Sequence, residues 1–208
     1  MKLFASMDIA VIGTGKTGNM FVENLSEAGH NVYLAAMTKE EEIIQSFFCE
    51  YENVQLCSIE DAAQYADIII IATHPKYVRE VAYRIDDVRG KVVVDASSIL
   101  ADREESNINT TNAARAITGS PHVVKCFNCQ EYETLAHMFY KDEPIDMFIA
   151  SDSKKAKETL RLLARDIGYT DCYDFGGNEA VPILEDMARC LMNYTAKKKE
   201  MALKVMKK

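Results

Sequence analysis

The run Asp8-Ile-Ala-Val-Ile-Gly13-Thr-Gly15-Lys-Thr-Gly18 constrains the fold more than any other stretch of the chain. Ile9 to Ile12 are apolar and read as a buried strand. They lead directly into G-x-G-x-x-G, and a helical pattern follows from Thr17 to Ala28. Each glycine answers a separate steric demand. Gly13 permits the tight turn, Gly15 lets the backbone approach a pyrophosphate, and Gly18 lets the helix pack on the strand. The N–H groups and positive dipole end of that helix favour phosphate. Gly13, Thr14, Gly15, Lys16 and Thr17 are therefore the expected pyrophosphate-binding residues. The competing reading is a plain tight turn between strand and helix. Gly15-Lys16-Thr17 also suggests a nucleotide-hydrolase loop, but that pattern needs glycine at position 10, where Ala10 stands, and would place Val11 and Ile12 in the loop.

The rest of the chain alternates strand and helix. Strands are expected at Asn31 to Ala36, Val54 to Cys57, Asp67 to Thr73 and Lys91 to Ser97. Further strands are expected at Val123 to Phe127, Asp146 to Ala150 and Asp171 to Phe175. Asp67 to Thr73 is a continuous β-branched run, as a parallel strand buried on both faces requires. Helices are expected over Glu40 to Cys49, after the Ser58 cap, over Tyr77 to Ile85 and Thr111 to Ile117, from strand six through about Tyr140, and from Ser153 to Ile167. A final long helix runs from about Asn178 to Val205, with Pro182 tolerated in its first turn. The pattern predicts an α/β, doubly wound, mainly parallel sheet of about eight strands with a long C-terminal helix. Residues 1–177 form the dinucleotide-binding domain and 178–208 a helical extension of the same unit.

The 208 residues carry a net charge of −8, which argues against a general nucleic-acid binder, since phosphate contact needs a basic surface. Ile68 to Ala72, the longest strongly apolar run, is too short to span a bilayer, and the first residues leave no room for a secretory segment. The expectation is a cytoplasmic protein without membrane or nucleic-acid partners. The lysine-rich tail, from Lys197, reads as a solvated helix end or a polybasic segment. Six cysteines, Cys49, Cys57, Cys126, Cys129, Cys172 and Cys190, do not form a disulfide framework in a chain this long. Cys126 and Cys129 make one C-x-x-C, readable as structural thiols, a redox pair or half a metal site; no second C-x-x-C or suitably spaced histidine completes a metal site, and none is expected.

Several stretches together resemble one family: Ile12-Gly-Thr-Gly-Lys-Thr-Gly18, Ala66-Asp-Ile-Ile-Ile-Ile-Ala-Thr-His74, Lys91-Val-Val-Val-Asp-Ala-Ser97 and His122-Val-Val-Lys-Cys-Phe-Asn128. Ala150-Ser-Asp-Ser-Lys-Lys-Ala156 and Asp174-Phe-Gly-Gly177 follow in the same order. The chain resembles the NADP-dependent reductases of the deazaflavin coenzyme F420 and the cytosolic oxidoreductase domain of the STEAP metalloreductases. The resemblance implies a Rossmann-type fold. It implies that Thr73 and His74 line the ribose and nicotinamide side, with Ser97 and Asn128 closing the nicotinamide pocket. His74 also reads as a turn residue before Pro75, and Asn128 as a loop cap.

Two departures from that family matter. Its usual G-S-R after strand two is replaced by Ala35-Ala36-Met37, followed by Thr38-Lys39. Thr38 and Lys39 then supply the hydroxyl and charge for a 2′-phosphate, so NADP is expected and NAD stays open. No tryptophan follows K-x-F-N; Tyr132 is the nearby aromatic residue. The implied function is hydride transfer between NADP(H) and a flavin or F420-type deazaflavin acting as a diffusible acceptor. No acid–base pair is assigned as catalytic, and Lys125, the one group to watch, reads better as core support. The alternative is an NADP(H) sensor without turnover. A homodimer is expected through the final helix, whose Leu184, Met187, Leu191 and Met192 spread beyond a narrow stripe.

Overall fold

The computed structural model describes residues 5–37, 51–97, 109–128, 139–140, 143–195 and 202–206. The strands are β1 (Asp8–Ile12), β2 (Asn31–Ala35), β3 (Val54–Cys57), β4 (Ile68–Ile71), β5 (Val92–Asp95) and β6 (Val123–Lys125). These six make one parallel sheet in the order β3-β2-β1-β4-β5-β6. That order reverses direction between β1 and β4, and the crevice outside the carboxyl ends of the strands at such a switch is where ligands bind.

Alternation along each strand sorts the core into two layers. Ile9 and Val11 of β1 and Ile68 and Ile70 of β4 face one side, where they meet Phe21 and Leu25 of α1 (Lys16–Glu27) and Leu160 and Leu163 of α5 (Lys154–Asp166). Ala10, Ile12, Ile69 and Ile71 face the other. There they meet Ile59 and Ala62 of α2 (Ile59–Tyr65), Val78 and Val81 of α3 (Val78–Arg84), and Ala114 of α4 (Thr110–Thr118). All four isoleucines of β4 are buried, each contributing roughly 1.5–3 kcal/mol from removal of its side chain from water.

The helix ends follow local chemistry. The Ser58 hydroxyl accepts the Asp61 N–H at 3.0 Å and donates to the Asp61 carboxylate at 2.7 Å, so the expected Ser58 cap starts α2. Ser153 accepts the Ala156 N–H at 3.1 Å and starts α5. Lys91, expected within a strand, lies just before β5 and caps the end of α2 by donating to the Ala63 and Gln64 carbonyls, 2.7 Å each.

Among the described residues the main sheet has six strands, where about eight were expected. The two later strands exist as β9 (Met147–Ile149) and β10 (Cys172–Asp174), a parallel pair of their own. Among the described residues they reach the main sheet through one antiparallel bridge, in which Lys125 and Ala150 exchange backbone hydrogen bonds at 3.0 and 3.1 Å. The helix expected through about Tyr140 is also corrected at its end: β7 (Phe139–Tyr140) pairs antiparallel with β8 (Glu143–Pro144). The helix expected over Glu40 to Cys49 lies outside the described residues.

The last helix is shorter than its sequence pattern. A 3₁₀ turn, Asn178–Ala180, enters α6 (Val181–Thr195), and residues 202–206 are not helical. The Val205 N–H donates to the Asp146 carboxylate at 2.7 Å, and Leu203 packs beside Leu184 and Phe148. Leu184 and Leu191, expected at a dimer surface, are buried within the chain against Phe148, Ala150 and Val181. No described helix is long and apolar enough to cross a membrane.

Candidate active site

The glycine turn shows three different constraints. Gly13 has φ +127°, and a Cβ there would lie 2.5 Å from the Ala72 carbonyl oxygen, so the β1 end and the β4 end touch backbone to backbone. A Cβ on Gly18 would run into the carbonyl of Gly13, so α1 packs on the turn with no space for a methyl group. Gly15 is the opposite case. It is the N-cap of α1, its φ of −74° suits any residue, and a Cβ there would meet nothing within 4 Å. Open space beside a helix N-terminus without a side-chain cap, and without an acidic residue in its first turn, is the shape that a pyrophosphate fills. Gly15 and Lys16 are exposed and Thr14 and Thr17 half-buried around it, so the described atoms fit a dinucleotide phosphate.

The other expected site residues follow the ends of β4, β5 and β6. Thr73 is buried, and its hydroxyl has no hydrogen-bond partner among the described residues. An unpaired polar atom at this edge is the mark of a site that takes a ligand or a water. His74 is half-buried. Its Nδ1 accepts the Lys76 N–H at 3.4 Å, capping the 3₁₀ turn Pro75–Tyr77, and its ring meets Tyr77 edge to face at 6.4 Å. These contacts place His74 at the head of the turn that follows β4.

Ser97 is committed to a buried network. Its hydroxyl donates to Asp95 Oδ1 at 2.6 Å, and its N–H reaches the same oxygen at 3.1 Å. Asp95 Oδ2 accepts from the hydroxyls of Thr110 and Thr111 at 2.6 and 2.7 Å and from Lys125 Nζ at 3.2 Å. Lys125 Nζ also donates to the Ser97 carbonyl at 2.7 Å and pairs with Glu185 Oε1 of α6 at 2.7 Å. Asp95 and Lys125 are fully buried. Burial alone would raise the Asp95 carboxyl, but the Lys125 ammonium and three hydroxyls outweigh it and hold it low. Burial alone would lower the Lys125 ammonium, but Asp95 and Glu185 outweigh it and hold it high. Lys125 is thus a charged tie between β5, β6 and α6, in keeping with core support. Sequence reading missed Asp95, Thr110, Thr111 and Glu185; the only signal was an aspartate and a lysine at the ends of otherwise apolar strands.

Asn128 is fully buried at the end of β6, following Phe127, whose φ of +60° is left-handed. Such a backbone costs a bulky residue about 1–3 kcal/mol and is kept where packing over-determines it. Here the Phe127 ring is held edge-on to Phe21, with centroids 4.7 Å apart, and against Tyr169 at 5.9 Å. Cys126 is fully buried within the main core, as a structural thiol would be. Burial pushes the thiols of Cys57 and Cys172 up to about 11 and about 12, so they stay protonated and unreactive near neutrality. Thr38, Lys39, Cys49, Cys129 and Tyr132 lie outside the described residues. Among the described residues no cluster of three or more metal-ligating side chains occurs.

A 3-2-1-4-5-6 parallel sheet, an open glycine at a helix N-terminus on the switch point, and a vacant-bonded threonine at the next strand end define a Rossmann-type dinucleotide-binding protein. Residues 8–99 match the family described as NADP oxidoreductase, coenzyme F420-dependent. Solved structures agree on the fold. A candidate F420-dependent NADP-reductase from Arthrobacter sp. FB24 superposes with a TM-score of 0.80 at 18% identity, over 97% of this chain and 100% of that one. A hypothetical protein, SMa0349, from Sinorhizobium meliloti gives 0.70 at 23% identity, over 82% of this chain and 85% of that one. An imine reductase variant from Myxococcus stipitatus, in complex with NAD+, gives 0.66 at 18% identity, over 93% of this chain and 62% of that one.

Proposed function

We propose that this protein binds NADP(H) and moves hydride between it and a flavin or F420-type deazaflavin that diffuses in as the second redox carrier, in the cytoplasm. The observation that carries the reading is the uncapped, sterically open Gly15 turn on the switch point of a sheet whose strands β1 to β5 lie within the residues that match an NADP-oxidoreductase family. The dinucleotide supplies the hydride; the chain supplies the turn that holds its phosphates and the strand ends that position its ring. Hydride transfer between two stacked rings needs positioning more than acid–base chemistry. That suits strand ends whose charged groups, Asp95 and Lys125, are paired with each other and fully buried. Stopped-flow mixing of protein and NADPH with FMN, FAD or F420 tests it. The expected result is bleaching of the nicotinamide absorbance that depends on one of the three acceptors. NADPH binding without turnover on any of them would replace this reading by that of an NADP(H) sensor.

The 2′-phosphate is assigned to Lys39, with Thr38. A lysine–phosphate contact is worth roughly 1–3 kcal/mol before screening. Lys39→Ala is therefore expected to weaken NADPH several-fold or more in a binding titration and to leave NADH nearly unchanged; equal losses would remove the assignment.

A second copy of the chain is the proposed partner of α6. With Leu184 and Leu191 used internally, the large apolar side chains that α6 exposes among the described residues are Ile183, 49% exposed, and Tyr194, 43% exposed. Light scattering at micromolar concentration is expected to give twice the 23.4 kDa chain mass, and Ile183→Glu to return it to the monomer value.

A further inference from the structure

Glu185 sits on α6 and is only 8% exposed. One carboxylate oxygen, Oε1, is fixed by the Lys125 ammonium at 2.7 Å. The other, Oε2, is buried and has no hydrogen-bond partner among the described residues. A desolvated carboxylate oxygen without a donor is costly, so a folded protein that keeps one obtains its donor from a water or a ligand.

The position of that oxygen narrows the choice. Lys125 closes β6, and its Nζ also holds the carbonyl of Ser97, two residues beyond the end of β5. Glu185 is therefore anchored at the carboxyl edge of β5 and β6. In a sheet of this order the two halves each receive one mononucleotide, and the half containing β4, β5 and β6 receives the nicotinamide. The one group on a nicotinamide ring that donates hydrogen bonds is its carboxamide N–H. The pairing with Lys125 also pins the carboxylate, so the free oxygen is a pre-oriented acceptor and not a wandering one.

We propose that Glu185 Oε2 accepts a hydrogen bond from the carboxamide of the bound nicotinamide, which makes α6 part of the cofactor site. The inference rests on the dinucleotide reading above. It gives Glu185 a positioning role: holding the carboxamide fixes the rotation of the ring, and so which face is turned toward the acceptor.

The test measures binding to the full chain of NADP, of its 3-acetylpyridine analogue, in which a methyl group replaces the amide nitrogen, and of 2′-phospho-ADP-ribose, which has no nicotinamide. The parent protein is expected to bind the analogue about ten-fold more weakly than NADP, as loss of a bond to a charged acceptor requires. In Glu185→Gln the amide oxygen faces Lys125 and an N–H faces the ligand, so the preference for NADP is expected to vanish while 2′-phospho-ADP-ribose binds as before. Equal binding of NADP and the analogue by the parent protein overturns the proposal without recourse to any variant. Persistence of the preference in Glu185→Gln overturns it too, because another group then reads the carboxamide. If 2′-phospho-ADP-ribose fails to bind the parent, the dinucleotide reading itself falls, and the proposal with it.

Discussion

Gly15→Val is expected to abolish dinucleotide binding while leaving the thermal stability of the free protein nearly unchanged. The two halves of that outcome have separate causes. A Cβ at Gly15 meets no protein atom within 4 Å, and φ of −74° is ordinary for valine, so the fold has no reason to resist. The same branched side chain then occupies the space into which phosphate oxygens must come to reach the α1 N-terminus. Loss of that approach removes charge-assisted bonds to backbone N–H groups, so a drop of about 100-fold or more is expected. The measurement is the rise in melting temperature with NADPH, since a ligand that binds only the native state stabilises it by mass action. Gly18→Ala is the control with the opposite signature: its methyl collides with the Gly13 carbonyl, so the free protein itself loses stability. If Gly15→Val still binds NADPH like the parent, the phosphates lie elsewhere.

Lys125→Met is expected to lower stability by about 3–5 kcal/mol in urea unfolding at neutral pH. Methionine fills much the same volume, so packing is not the main loss. The substitution leaves the carboxylates of Asp95 and Glu185 buried without their cation, and removing one partner of a buried ion pair costs far more than replacing all of them with apolar groups. The pH dependence has a defined sign. Asp95 is held below its unfolded value, so its contribution is present above about pH 4 and is lost as pH falls through its lowered folded pKa. Lys125 is held above its unfolded value, so its contribution is complete below about pH 10 and is lost as pH rises through its raised folded pKa. The gap between parent and variant is therefore widest between those limits and shrinks in acid, where Asp95 takes up a proton. A gap below 1 kcal/mol at neutral pH would show that the network is not a structural tie.

The sequence by itself determined most of the frame. The glycine spacing, the isoleucine run of β4 and the serines before α2 and α5 are local signals, because a turn, a doubly buried strand and a helix cap are each decided within a few residues. All six strands of the main sheet lie where their apolar runs do, and the glycine turn lies at the carboxyl edge as its pattern requires.

Tertiary structure decided what depends on distant partners. Whether β9 and β10 join the main sheet turns on one bridge between Lys125 and Ala150, which no local pattern encodes. Leu184 and Leu191 look like an interface in sequence, yet they are consumed by Phe148 and Val181, because an apolar stripe states only that it must be covered and not by what. Ser97 reads as a pocket residue, but Asp95, Thr110 and Lys125, up to 28 positions away, take its hydroxyl and carbonyl into the core. Glu185 gave no signal at all; a glutamate on a mixed helix reads as solvated, and only the fold brings it to a buried lysine with one oxygen left over. Charge in a core is legible only through its partners, and those partners are brought together by the fold.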